Sequence, residues 1–283
     1  MPFRIGLAGL DSSHAEDFLR HFNTEERYRQ MRVTAMWGGS DERLAELAAG
    51  APAVAVALSL ETLIEQVDAV IVGDRHGDLH RPHALPVIAA GKPVFVDKPF
   101  ANSLRDAEAM AASAERAGVP LLSGSALRWQ PETMRLKARL AELDGPYELG
   151  VYGTWYPENE YGGAIFYAIH TIELVLELLG TGWRELELGG GGEPTLRCRF
   201  GTCTVTMTFR PPNAAGLAGF GVEVNAPGVR FHHPIPLGDD YMAPVCGKIA
   251  EMLQSGVSPI TAKALVAPVR MMEEISALLK PAP

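Results

Sequence analysis

Asp68-Ala69-Val70-Ile71-Val72-Gly73 opens the stretch that decides the fold. After this apolar run come a helical segment over 82–90, a stop at Gly91, and a second apolar triplet, Val94-Phe95-Val96. A strand without polar alternation is buried on both faces, as in a parallel sheet covered by helices. Gly91 stands at the C′ position, where a helix ends in a left-handed residue. The same rhythm continues outward. Upstream, the pattern predicts strands over 3–8 and 32–37 and helices over 15–22, 41–49 and 59–66, with Ser12 or Ser13 capping the first helix and Ser59 the last. Downstream, Ser103-Leu104-Arg105-Asp106 resembles a capping box, its helix ends at Gly118, and 120–124 reads as another strand.

Strand and helix alternate roughly every 25 residues as far as Gly124, the signature of a doubly wound parallel sheet. Beyond it the rhythm changes. Pro131 begins a helix to about 143, a strand covers 148–154, and an apolar helix covers 166–179. Short strands follow over 186–189, 195–200, 203–209, 222–225 and 229–232, then helices over 242–253 and 262–279. The stretch 202–209 alternates polar and apolar, as a strand with one wet face does. The expected class is α/β: a Rossmann-type dinucleotide-binding domain over 1–122, and over 123–283 an α+β substrate and oligomerisation domain whose sheet is mainly antiparallel, with helices on one face.

The chain has 283 residues, 47% of them hydrophobic, enough for two ordinary cores. Its net charge is −9, from 25 basic and 34 acidic residues, with the basic ones scattered. That disfavours nucleic acid or an anionic membrane as partner and leaves a small molecule as the expected ligand. No run reaches the roughly 20 apolar residues of a membrane span, and the N-terminus goes straight into a strand pattern without a leader, so a cytoplasmic protein is expected. Cys198, Cys203 and Cys246 show no metal-type spacing and read as thiols in a reducing compartment.

The most specific stretch is Ala90-Gly-Lys-Pro-Val-Phe-Val-Asp-Lys-Pro-Phe-Ala101. The residue before a proline avoids the helical region, so Lys98 is held at the mouth of the sheet, where α/β folds bind ligands. This stretch closely resembles the "AGKHV…EKP" segment of the Gfo/Idh/MocA oxidoreductases, with aspartate in place of glutamate. Three further stretches are similar to that family: 68–73 with Leu79-His80, 118–128 with its Arg128, and Gly162-Gly163 running through His170 to Gly180. The resemblance covers most of the chain, although the second domain is shorter than the family's. It implies an NAD or NADP cofactor and a homo-dimer or tetramer through the C-terminal sheet. By resemblance, Lys98 and His170 are the proton-transfer residues and Arg128 a substrate ligand. The cofactor would meet Gly9, Asp11, Ser12, Ser13, His14, Asp74, Arg75, His76 and Lys98.

Four departures stand against it. A dinucleotide loop G-x-G-x-x-G needs its second glycine so that backbone can approach the pyrophosphate. Here the three positions are Gly9, Asp11 and His14, and Asp11 places a carboxylate where phosphates belong. The second strand runs into Trp37-Gly38-Gly39-Ser40 with no acid for the ribose; Asp41 comes late and reads equally as a helix cap. Arg43 suits either a 2′-phosphate or an exposed helix face. The family's Thr-Pro-Asn is replaced by Asp74-Arg75-His76, and its aspartate one turn before the histidine by Phe166.

Tyr167, three residues before His170, shares a similar helix face and is either a proton donor or a packed aromatic. Trp155, Tyr156 and Tyr161 either wall a substrate pocket or pack the domain edge. His76, His80 and His83 suggest a metal, but Pro82 argues against one helix carrying both His76 and His80. Two functions therefore remain open. One is an NAD(P)-dependent oxidoreductase acting on a sugar, polyol or related hydroxy compound, with Lys98 and His170 opening on one cleft. The other is a catalytically degenerate member that binds a small ligand, or serves as a partner subunit, without hydride transfer.

Overall fold

A computed structural model describes residues 2–156, 158–163, 165–189, 194–212 and 219–279. The chain divides into two compact units, 1–124 with 242–266 and 125–241 with 267–283.

In the first unit, β1 (Phe3–Ala8), α1 (His14–Leu19), β2 (Met31–Trp37), α2 (Asp41–Gly50), β3 (Ala55–Val56) and α3 (Leu60–Gln66) are followed by β4 (Ala69–Val72), α4 (His80–Ala89), β5 (Val94–Val96), α5 (Leu104–Ala117) and β6 (Leu121–Ser123). The six strands pair in parallel in the order β3-β2-β1-β4-β5-β6. All four residues of β4 and all three of β5 are buried, which explains their unbroken apolar runs. Ser40, Ser59 and Ser103 cap α2, α3 and α5 by accepting N–H bonds three residues on. Strand order reverses between β1 and β4, and right-handed crossovers then put the two sets of helices on opposite faces. Ligands of such sheets lie beside the strand ends at that reversal.

The second unit holds α6 (Pro131–Leu140), β7 (Glu148–Thr154), α7 (Ile165–Leu179), β8 (Trp183–Gly189), β9 (Thr195–Phe200), β10 (Cys203–Arg210), β11 (Phe220–Ala226) and β12 (Val229–Ile235). Its six strands run in the order β12-β11-β7-β10-β9-β8. All pairs are antiparallel except β7 with β10, which is parallel in the register Leu149 to Val205. The sheet is therefore mainly antiparallel, as the alternation in β10 implied. Ile169, Ile172 and Val175 of α7 are fully buried in one core with Val151, Met207 and Val222 of the strands.

The division departs from the expected cut at 122/123 in one respect. Helix α8 (Ala243–Ser255) and the segment to Val266 group with the first unit, and the cut falls inside α9 (Ala262–Leu279). Ser258 Oγ accepts the Leu121 N–H at 2.9 Å, which fastens this late segment to β6. An apolar helix pattern names the buried face but not the sheet it lies against.

Candidate functional site

The register sets Ala8 beside both Trp37 and Val72, so the residues that follow, Gly9, Gly38 and Gly73, meet at one corner of the first sheet. The Gly9 N–H donates to Trp37 O at 2.9 Å and the Gly73 N–H to Ala8 O at 2.7 Å. Gly9 has φ +79°, and a Cβ there would run into the Asp74 carboxylate. Gly38 has φ +89°, and a Cβ there would stand 3.2 Å from the Gly9 nitrogen. Only glycine permits backbone segments this close. Asp74 is buried and accepts from His83 Nδ1 at 2.7 Å, while the His83 ring stands edge-on to Trp37 at 5.1 Å.

The loop from Asp11 to His14 differs in detail from the expectation. The Asp11 carboxylate is not aimed at the start of α1. Its Oδ1 accepts the Ser40 N–H at 3.1 Å, across at the turn between β2 and α2. A short polar side chain caps whichever N–H it reaches first, and the strand register brings Ser40 to it. Ser12 Oγ accepts the His14 N–H at 3.2 Å, and Ser13 begins α1 without a side-chain cap. Among the described residues, the N–H groups of Asp11, Ser12 and Ser13 meet no acceptor. Arg43 is neither a free phosphate ligand nor a plain surface residue. It donates to Leu10 O at 3.0 Å, Ser12 O at 3.4 Å and Glu46 at 2.8 Å, and pairs with Glu16.

Lys98 follows β5 and is buried, with a cis Lys98–Pro99 peptide. The preceding Asp97 is 2% exposed. Its Oδ2 accepts from His14 Nδ1 at 2.6 Å and its Oδ1 accepts the Lys98 N–H at 2.8 Å. Burial alone would raise the Asp97 pKa, but the charges and hydrogen bonds of His14 and Lys98 outweigh it and hold the carboxyl down at about 2. His80, fully buried, lies 2.8 Å from Pro99 O through Nδ1 and 2.8 Å from Asp74 O through Nε2. Two histidines thus fix the lysine turn, one to the start of α1 and one to the end of β4. His76 lies before the helix, its Nδ1 accepting the Asp78 N–H at 3.3 Å, and α4 starts at His80. Arg75 is half-buried in the same loop.

In the second unit His170 lies on α7 and is buried. Phe166, one turn earlier, is buried and offers no charge. The partner of the His170 ring is instead Ser125 Oγ, 2.6 Å from Nδ1. The Ser125 N–H donates to Glu173 Oε2 at 2.7 Å. Arg128, 4% exposed, donates to Glu177 at 3.1 Å and lies 3.7 Å from Glu173, while Lys137 reaches Glu177 at 2.6 Å. These pairs fasten the segment 125–128 to α7. Tyr156 packs 6.1 Å from Tyr167, and Tyr161 5.1 Å from Phe166. Residue 157 of that loop lies outside the described residues. The structure thus joins Gly9 with Asp74, His14 with Lys98 through Asp97, and Tyr156 with Tyr167. Sequence reading missed Ser125, Glu173, the His83–Asp74 pair and the Asp97–His14 pair, whose partners are set by the folded chain and carry no spacing signal.

Comparison with known proteins matches the first unit. Residues 3–125 fit the model of the Gfo/Idh/MocA oxidoreductase family, NAD-binding Rossmann fold. The dehydrogenase aclE of Aspergillus oryzae is 32% identical over 145 residues, which is 47% of this chain and 38% of that protein. Inositol 2-dehydrogenase of Paracoccus denitrificans is 37% identical over 81 residues, 28% of this chain and 24% of that one. The matched stretches therefore span less than half the length of these curated relatives. A probable dehydrogenase of Thermotoga maritima shares the fold at a TM-score of 0.85 with 17% identity, over 98% of this chain and 96% of that one. Its first domain, matched by family model and by relatives, is similar to the NAD-binding Rossmann domain of the Gfo/Idh/MocA oxidoreductases.

Proposed function

We propose that the protein is an NAD(P)-dependent oxidoreductase acting on a sugar, polyol or related hydroxy compound. The observation that carries this is the lysine turn: Lys98, at a strand end inside the family-matched domain, is fixed by His80 and by the Asp97–His14 pair. The corner of β1, β2 and β4 suits a dinucleotide. Its glycines clear side chains from the backbone, and the N–H groups of Asp11, Ser12 and Ser13 suit a pyrophosphate. The nicotinamide, when bound, gives or takes the hydride.

The chain's own residues do the rest. Lys98 moves the proton of the reacting hydroxyl or carbonyl oxygen. His170 assists as acid or base, its ring held by the Ser125 hydroxyl, which can donate or accept and so serves either tautomer. Asp74, with Arg75 and His76 beside it, borders the nicotinamide end. Arg128 has its guanidinium engaged by Glu177 and Glu173, so it serves the substrate by fixing α7. Tyr156, Tyr161 and Tyr167 offer ring faces on which a sugar's C–H groups can lie. A homo-dimer or tetramer through the second sheet, working in the cytoplasm, completes the reading; light scattering after size exclusion tests the assembly.

The second reading, a binder without hydride transfer, is favoured by Phe166 in place of the family's aspartate. Fluorescence titration with NADH and NADPH, followed by turnover on a panel of sugars and polyols, decides between them. Saturable binding with turnover that Lys98→Met abolishes supports the oxidoreductase. Binding without turnover on any substrate selects the second reading, and no binding of either dinucleotide overturns the first.

A further inference from the structure

In dinucleotide folds with this topology, an acid about 20 residues beyond the glycine loop usually accepts from the adenosine ribose hydroxyls, while a nearby arginine takes the 2′-phosphate of NADP. Here β2 ends at Trp37 and runs into Gly38-Gly39-Ser40, with no carboxylate side chain of its own. One arrives from the neighbouring loop. Asp11 Oδ1 is fixed on the Ser40 N–H at 3.1 Å, and a Cβ on Gly39 would stand 3.2 Å from that same oxygen. Glycine at 38 and 39 therefore keeps the corner open beside the carboxylate. Asp11 is exposed, and among the described residues only its Oδ1 accepts a hydrogen bond.

We infer that Asp11 is the ribose-binding carboxylate of this chain and makes it selective for NAD(H) over NADP(H). The inference rests on the dinucleotide-binding reading above. A carboxylate with one oxygen already satisfied has lone pairs left for the 2′- and 3′-hydroxyls. The 2′-phosphate of NADP carries up to two negative charges and would meet Asp11 at close range. The cation nearest in sequence to offset it, Arg43 in the first turn of α2, has its donors turned to Leu10 O, Ser12 O, Glu16 and Glu46. The loop that lost its second glycine thus supplies the acid that β2 lacks.

The test is titration of the full chain with NADH, NADPH and NADH lacking the adenosine 2′-hydroxyl, followed by intrinsic fluorescence or calorimetry and needing no turnover. Wild type should bind NADH at least about tenfold more tightly than NADPH, and the 2′-deoxy analogue should lose about tenfold. Asp11→Asn should weaken NADH by about tenfold, tighten NADPH, and no longer distinguish the 2′-deoxy analogue. Asp41→Asn, the other acid near this corner, should leave the ratio unchanged. A wild-type preference for NADPH, or equal weakening of both dinucleotides in Asp11→Asn, overturns the assignment and leaves Asp11 as a cap for Ser40. The 2′-deoxy comparison on wild type decides even if the variant fails to fold. Failure of wild type to bind either dinucleotide overturns the dinucleotide reading itself, a result distinct from binding with an unaltered ratio.

Discussion

Asp97→Asn removes a charge that the fold has gone to some length to keep. The carboxyl is held at about 2, against the usual 3.8, because His14 and Lys98 overcome the cost of burying it. A depression of that size corresponds to about 2 kcal/mol of native-state stabilisation. The sign follows from the direction. A carboxyl whose folded pKa lies below its unfolded one contributes fully above about pH 4, and the contribution is lost as pH falls through about 2. Wild type should therefore exceed Asp97→Asn by about 2 kcal/mol at pH 7, by about half of that at pH 3, and by almost nothing below pH 2. Urea unfolding of both proteins at pH 7, 4 and 3, read on the first unit's transition, measures the difference. A gap that stays constant from pH 7 to 3 would show that Asn disturbs packing and that the charge is immaterial. A gap below about 0.5 kcal/mol at pH 7 would show that the His14 pair only repays the burial it suffers.

Other expectations follow from single contacts. Ser125→Ala removes the His170 ring partner and should lower turnover about 10- to 100-fold with a melting temperature within a few degrees of wild type, partly restored in Ser125→Thr; unchanged kinetics would remove Ser125 from the site. Arg128→Met removes the cation beside the buried Glu173, while Glu177 keeps Lys137, and should cost about 3 kcal/mol by urea unfolding; a loss below 1 kcal/mol contradicts the ion-pair role. Burial pushes the Cys198 and Cys203 thiols up to about 12, so a disulfide reagent at pH 8 should spare both in the native protein and modify both in urea. Gly9→Ala adds a Cβ both at a positive φ and against Asp74, and should destabilise by several kcal/mol; a wild-type melting temperature would mean that the corner is looser than its hydrogen bonds imply.

The parallel sheet was legible because burial on both faces leaves a local mark, the unbroken apolar runs of β4 and β5. The Ser59 and Ser103 caps and the glycine stops act within four residues, so they too could be read, whereas α2 is capped by Ser40 and not Asp41, and α1 has no side-chain cap from Ser13. Lys98 was legible for a similar reason, since the proline after it and the strand before it confine its backbone. What escaped depends on pairs far apart in the chain. Nothing near Asp97 announces His14, 83 residues away, and nothing near His170 announces Ser125, 45 residues away. Asp11 shows the limit best: its position in the glycine loop was plain, but its direction depended on Ser40 across a strand register. The parallel β7–β10 pair was missed because alternation reports a wet face and a dry face, not the strand's direction.

The placement of α8 has a consequence for how the protein is made. The first unit is discontinuous: after Gly124 the chain leaves it and returns only at Met242, once the last strand of the second unit has been built. On the ribosome the Rossmann sheet therefore waits for the helix that buries Val245, Cys246, Ile249 and Met252, and for Ser258 on β6, a delay on the order of ten seconds at ordinary elongation rates. The second unit is split as well: most of α9, which puts Ala267, Met271 and Ile275 into its core, is made only after the first unit's last segment. A fragment cut at Gly124 would expose the surface meant for α8 and invite association with other nascent chains, so a gene fusion that exchanges the Rossmann domain has to carry both of its segments.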